Sequence, residues 1–85
     1  MKDIIFTNHA LSKISLLKRH GFIVTKKEIL ETAKDPDNLD ITSDEPNIIA
    51  SKDFDKNHVL RVVYKIDAGI IKVITFYPAE KGRYY

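Results

Sequence analysis

The sequence predicts an α+β fold in which two N-terminal helices pack on a mainly antiparallel sheet of three to four strands, in the order β-α-α-β-β-β. Two segments, residues 8–20 and 26–35, repeat apolar residues at the spacing of helical turns. Three later segments, residues 47–52, 58–66 and 70–77, are rich in the β-branched and aromatic residues that favour strands. Because the helices and the long strands form separate blocks, we expect the helices on one face of a single sheet.

Size and composition indicate one soluble domain spanning residues 1–85. The chain has no cysteine, which excludes disulfides and zinc sites built from thiolates. It has no apolar run of about 18 residues, and its first residues lack the apolar segment of a signal peptide. We therefore expect no membrane span and a cytoplasmic location.

The net charge of +2 conceals three segments of opposite sign. Residues 1–34 carry a net charge of +4, residues 35–57 carry −5 and residues 58–85 carry +3. If the fold brings the two basic ends together, they form a face suited to a phosphate backbone. Solvated charge is also ordinary on small domains, so this pattern alone does not assign a partner.

Both helices have recognisable boundaries. Thr7 or Asn8 is placed to cap the first helix, and Gly21 suits the left-handed residue that follows a helix. Thr25 and Glu28 have the spacing of a capping box for the second helix, which Pro36 should end.

The strand region begins after an acidic loop predicted over residues 37–47. An earlier apolar run, residues 4–6, predicts a short first strand. The segment 67–69 is a tight hairpin signal, and Pro78 is expected to end the last strand. Strict alternation puts Tyr77 and Val73 on one face of that strand and Phe76 on the other. Either of these faces could pack against the helices.

The first helix carries two candidate functional residues on one stripe, His9 and Lys13. His9 stands at the positive end of the helix dipole, and histidine titrates near physiological pH, so it is a candidate general base. The alternative is a histidine that packs at the helix boundary and bonds to the backbone.

The second long strand should place Arg61 and Lys65 on the face away from the helices, because Leu60 and Val62 supply the apolar set. A guanidinium there can bind a phosphate in a bidentate manner, although an arginine on a sheet is commonly a surface residue with a buried stem. The chain then closes on Tyr77, Arg83 and Tyr84, whose phenols and cation suit stacking or proton transfer. Each of these residues also has an ordinary structural role.

No pattern for a metal or cofactor is present in the sequence. The three histidines share no ligand spacing, and there is no glycine-rich phosphate loop. We therefore expect neither a metal nor a cofactor.

Five short motifs together resemble a known protein family. They are His9-Ala10, the segment 18–21 at the end of the first helix, Asp35-Pro36, the segment 61–64 and the segment 73–78. The chain resembles small prokaryotic proteins allied to the RelE/ParE toxin superfamily, close to the BrnT-type ribonuclease toxins.

The resemblance implies a metal-independent endoribonuclease that acts on messenger RNA, which can be ribosome-bound, and that is neutralised by an antitoxin protein. Its catalytic residues would be His9, Arg61, Arg83 and Tyr84. We expect the RNA to contact a further set: Lys13, Arg19, Lys65 and Tyr77.

Two other functions remain open from the sequence. The first is a non-catalytic module of the same fold that binds a protein, as ParE-like inhibitors do. The second is a homodimer without a catalytic site.

Overall fold

The computed structural model describes residues 3–82 and confirms the α+β class, with two helices and one mixed sheet. In chain order the elements are β1 (Ile4–Phe6), α1 (Asn8–Arg19), α2 (Lys26–Lys34), β2 (Asn38–Asp40), β3 (Ile48–Asp53), β4 (His58–Asp67) and β5 (Ile70–Glu80).

The described residues form a sheet of five strands, in the order β1-β5-β4-β3-β2, so the predicted count of three to four is wrong. The additional strand, β2, lies in the segment that we expected to be loop, and it pairs antiparallel with residues 49–51 of β3. Three residues are too few for an alternating pattern to be recognised in a sequence. At the other edge, β1 pairs in parallel with residues 71–73 of β5.

Hydrogen bonds from nearby side chains and backbone groups fix the ends of the helices, as the sequence predicts. The Thr7 hydroxyl accepts a hydrogen bond from the backbone N–H of Ala10, which caps α1. At its end, Gly21 adopts a φ of 88° and closes a Schellman turn through the bond from Phe22 N–H to the Leu17 carbonyl. The capping box of α2 is complete, because the Thr25 and Glu28 side chains each accept a backbone N–H of the other residue.

The helices cover one face of the sheet and create a single core. α1 packs on β5 and β1, whereas α2 packs on β4 and β3. The buried core residues are Ala10, Val24, Ile29, Ala33, Ala50, Leu60, Val62, Tyr64, Val73 and Phe76. Every second residue of β4 from Leu60 to Tyr64 therefore faces the helices, as the alternation predicts.

A bulge in β5 breaks the alternation expected for that strand. Val63 pairs with Thr75 and Tyr64 pairs with Val73, so Ile74 is an additional residue opposite this step of β4. Val73 and Phe76 consequently both reach the core, although they are three residues apart. Tyr77 therefore lies opposite Arg61 on the face away from the helices, and the prediction that Val73 and Tyr77 share a face is wrong.

Pro78 does not end the last strand, since β5 continues to Glu80. β1 pairs with residues 71–73, and within the described range 3–82 the later part of β5 has no strand partner on that side. A proline is tolerated at such an edge because its missing N–H removes no ladder bond. The predicted hairpin is confirmed, and Ala68 and Gly69 both adopt the positive φ angles of a type I′ turn.

Candidate functional site

The face of the sheet opposite the helices, here called the far face, contains a buried arginine. Arg61 alternates with the core residues of β4 and therefore points away from the helices. Its side chain is nonetheless only 7% exposed, between the buried Val59 and Val63. An arginine on a sheet usually buries its stem and keeps its guanidinium group in solvent. The low exposure of Arg61 shows that its guanidinium group is buried as well.

Arg61 is held by two hydroxyl groups on neighbouring strands. Its Nε donates a hydrogen bond of 3.0 Å to Oη of Tyr77, the residue directly opposite it on β5. Its Nη1 donates to Oγ of Ser51, its partner on β3, over 3.3 Å. These bonds fix the plane of the guanidinium group and link three adjacent strands.

Lys13 reaches the same tyrosine from α1. Its Nζ donates a hydrogen bond of 3.3 Å to Oγ1 of Thr75 and lies 5.5 Å from the centre of the Tyr77 ring. The Arg61 Cζ lies 5.8 Å from that centre. Both distances are within the range of cation–π contacts.

The position of α1 explains how a helix residue reaches this face. Thr7 follows β1 directly, and its N–H and hydroxyl donate to the carbonyls of Val73 and Ile74. These bonds attach the start of α1 to β5 at the point where β1 ends. Lys13 thereby lies beside the part of β5 that, among residues 3–82, has no strand partner on the side away from β4.

We call these five residues the Tyr77 cluster: Lys13, Ser51, Arg61, Thr75 and Tyr77. The Tyr77 ring contacts Lys13 of α1 and Arg61 of β4, and its hydroxyl oxygen accepts a hydrogen bond from Arg61. A phenol also has one proton of its own to donate. The arrangement can therefore attract an anion and offer it a proton.

The structure brings Arg61, Lys13 and Tyr77 together and separates other predicted site residues from them. His9 is exposed and lies one turn before Lys13 on the same side of α1. Arg19 is exposed at the far end of α1, six residues after Lys13 and on a different side. Lys65 lies on the far face, four residues along β4 from Arg61.

The remaining two predicted catalytic residues, Arg83 and Tyr84, lie outside the described residues.

Ser51 and Thr75 are site residues that were not predicted from the sequence. Ser51 is 1% exposed in a strand whose preceding residues, 48–50, are apolar. A hydroxyl at such a position must find a partner, so it was a usable signal for a buried polar contact. Thr75 carried no comparable signal, because threonine is an ordinary strand residue.

Acidic residues border the far face on the side of β2. Asp40 pairs with Ile49 and shares its face. Hydrogen bonds from the Ser43 backbone and side chain, followed by that from the Thr42 backbone, lower the pKa of Asp40 to about 2. This carboxylate is therefore charged at neutral pH and repels an anion approaching from that side.

A second polar pair lies on the helix side of the sheet, away from the Tyr77 cluster. His58 Nδ1 is 2.9 Å from Oδ1 of Asp55, and its ring meets Phe22 edge-on at a centroid distance of 5.0 Å. The backbone N–H of Asn57 and the His58 side chain lower the pKa of Asp55. The pair attaches the turn between β3 and β4 to the segment after α1, which is a structural role.

The described residues contain no cluster of three or more histidine, cysteine or acidic side chains that would hold a metal ion. Within residues 3–82, neither helix has the length and apolar character needed to cross a membrane.

Comparison with models of protein families, with curated proteins and with solved structures gives no significant match.

Proposed function

We propose that this domain is a metal-independent endoribonuclease of the RelE/BrnT type, acting on messenger RNA as the toxin of a toxin–antitoxin pair. The Tyr77 cluster is the observation that carries the proposal. It combines the Lys13 ammonium group, which can bind an RNA phosphate, with a phenol that can move a proton and a buried arginine bonded to that phenol. The resemblance of the sequence motifs to RelE-allied toxins supplies the cellular role.

The proposed reaction cleaves the bond between phosphorus and the 5′-oxygen. The 2′-hydroxyl of the preceding ribose attacks the phosphorus and loses its proton to a base. The Tyr77 hydroxyl donates its proton to the departing 5′-oxygen, which leaves a 2′,3′-cyclic phosphate and a 5′-hydroxyl end. The base then releases its proton to solvent, and Tyr77 takes a proton from solvent.

Lys13 and Tyr77 are half-buried and would contact the phosphate directly. The Lys13 ammonium group would stabilise the negative charge that develops on the phosphate oxygens. His9, one turn away on the same side of α1, is the candidate base among residues 3–82.

Arg61 has a different task in this mechanism, because it is almost fully buried. Its Nε–H bond to the phenol oxygen orients Tyr77 and stabilises the phenolate that forms when the proton leaves. It is therefore a positioning residue that acts through Tyr77.

The proposal predicts that the purified chain cleaves RNA in excess EDTA and leaves cyclic-phosphate ends. Lys13→Gln should lower the cleavage rate at least tenfold, because it removes a cation beside the phosphate. Lys27→Gln, which removes an exposed lysine on α2, is the matched control and should leave the rate unchanged. Labelled messenger RNA, free and on ribosomes, with end-group analysis provides the measurement. Intact RNA in both assays, together with harmless expression in cells, would reject the proposal.

A non-catalytic protein-binding function is the second candidate, and exposed apolar residues in β2 and directly after it favour it. Leu39 is 49% exposed and Ile41 is 58% exposed. Ile41 also lines a shallow groove with Glu45, Pro46 and Ile48. Since Asp40, Asp44 and Glu45 lie in the same segment, the occupant that fits is a basic and apolar protein segment, such as part of an antitoxin.

This second function predicts a stable complex between the chain and the protein encoded beside it. Ile41→Lys should lower the affinity at least tenfold, since it places a charge in the groove, whereas Arg61→Ala should leave binding unchanged. Titration calorimetry with the purified partner measures both effects. Equal affinities for Ile41→Lys and the wild-type chain would remove the groove as the binding surface.

A further inference from the structure

Two lysines face each other on the far face, beyond the Tyr77 cluster. Lys65 of β4 is the direct partner of Lys72 of β5, so both side chains point to the same side of the sheet. Both are partly buried. Like charges directly opposite each other destabilise a strand pair. Asp67 offsets part of this repulsion, because its Oδ2 lies 3.7 Å from Lys72 Nζ.

The lysine pair lies in line with the Tyr77 cluster along β4. Arg61 and Lys65 are four residues apart in the same strand, which corresponds to about 13 Å. The row between them consists of Val63 and Thr75, which carry no charge. Since a stacked nucleic acid strand advances about 3.4 Å per phosphate, this distance exceeds the reach of a single phosphodiester.

Charge on the far face favours the direction of Lys65 and Lys72 over the side of β2 and over the opposite end of β4. Asp40 closes the side towards β2, where its carboxylate is charged at neutral pH. In the opposite direction along β4, the row of Val59 and Ala79 is apolar. Asp53 pairs with Val59 and is neutralised by Lys81, whose Nζ lies 3.6 Å from its Oδ2. A polyanion at the Tyr77 cluster is therefore attracted towards Lys65 and Lys72.

We propose that Lys65 and Lys72 form a second phosphate subsite, which binds single-stranded RNA several nucleotides away from the phosphate held at the Tyr77 cluster. This inference rests on the proposed function and specifies its substrate. A single strand laid along β4 and β5 contacts both positions. A dinucleotide with one internal phosphate contacts one of them.

The test compares the binding of a dinucleotide and a hexanucleotide made of 2′-O-methyl uridine, which cannot be cleaved. For the wild-type chain we expect tighter binding of the hexanucleotide, measured by fluorescence anisotropy of labelled probes. The double variant Lys65→Gln/Lys72→Gln should lose at least tenfold in affinity for the hexanucleotide and nothing for the dinucleotide. The slope of log affinity against log salt concentration should also become shallower by about 0.7, which is the change expected when one phosphate contact on a single strand is lost.

A matched variant separates this subsite from general electrostatic attraction. Lys27→Gln/Lys56→Gln removes the same charge from exposed positions outside the far face and should bind both probes as the wild-type chain does. The charge-preserving variant Lys65→Arg/Lys72→Arg should retain hexanucleotide binding, and thermal melting establishes that every variant folds.

The subsite is overturned if the double glutamine variant binds the hexanucleotide as the wild-type chain does, or if both double glutamine variants lose equal affinity. In either case RNA cleavage that depends on Lys13 would leave the proposed function intact. A wild-type chain that binds neither probe and cleaves no RNA would overturn the proposed function and the subsite together.

Discussion

Tyr77→Phe is expected to lower the rate of RNA cleavage by about 10²- to 10⁴-fold, which is the usual contribution of one general acid or base. The substitution removes the hydroxyl that accepts from Arg61 Nε and that would protonate the departing 5′-oxygen. It keeps the ring beside Lys13 and Arg61. We therefore expect kcat to fall while the affinity for an uncleavable oligonucleotide changes less than threefold.

Tyr64→Phe is the matched control for this experiment. Tyr64 belongs to the same strand as Arg61 but faces the core, where burial raises the pKa of its phenol. Single-turnover cleavage of a labelled RNA should show a wild-type rate for this variant at a temperature where it is folded. If Tyr77→Phe cleaved as fast as Tyr64→Phe, Tyr77 would not be the proton donor.

Phe76→Ala is expected to reduce the free energy of unfolding by about 3–5 kcal/mol. Phe76 is fully buried and is the largest of the fully buried side chains among residues 3–82. Its removal leaves a cavity between β5 and the helices that the surrounding residues can fill only in part. Small domains are stable by roughly 5–15 kcal/mol, so the variant should unfold at a much lower urea concentration.

Ile23→Ala provides the comparison, because Ile23 is 65% exposed and its truncation should change the free energy of unfolding by less than about 0.5 kcal/mol. Urea titrations followed by circular dichroism give both values. Similar midpoints for the two variants would show that Phe76 does not occupy the core as described.

The local pattern of residues was sufficient for the helices and for most of the sheet. Each helix start depends on a threonine whose side chain bonds a backbone N–H three residues later, and such bonds can be recognised from spacing alone. The long strands and the turn at residues 67–69 were also predictable, since strand propensity and turn chemistry act between near neighbours. Alternation along β4 likewise predicted that Arg61 lies on the far face.

The candidate site required long-range information. The sequence identified Lys13, Arg61 and Tyr77 as separate candidates, but their meeting depends on contacts between residues that are far apart in the chain. The additional residue Ile74 rotates the end of β5, which moves Tyr77 to the far face and Phe76 into the core. Strict alternation cannot anticipate a bulge, because its position depends on how two strands pair and pack.

The roles of the short β1 strand and of the buried Ser51 hydroxyl also depend on contacts that are distant in the sequence. Thr7 attaches α1 to β5 by hydrogen bonds to residues 73 and 74. Lys13 reaches Tyr77 because, in the part of the chain that the structure describes, no strand pairs with this edge of β5 beyond that point. Ser51 bonds Arg61 because β3 pairs with β4 in one specific register. Helix ends and turns follow from residues a few positions apart. The cluster around Tyr77 follows from strand register, which the packing of the whole domain selects.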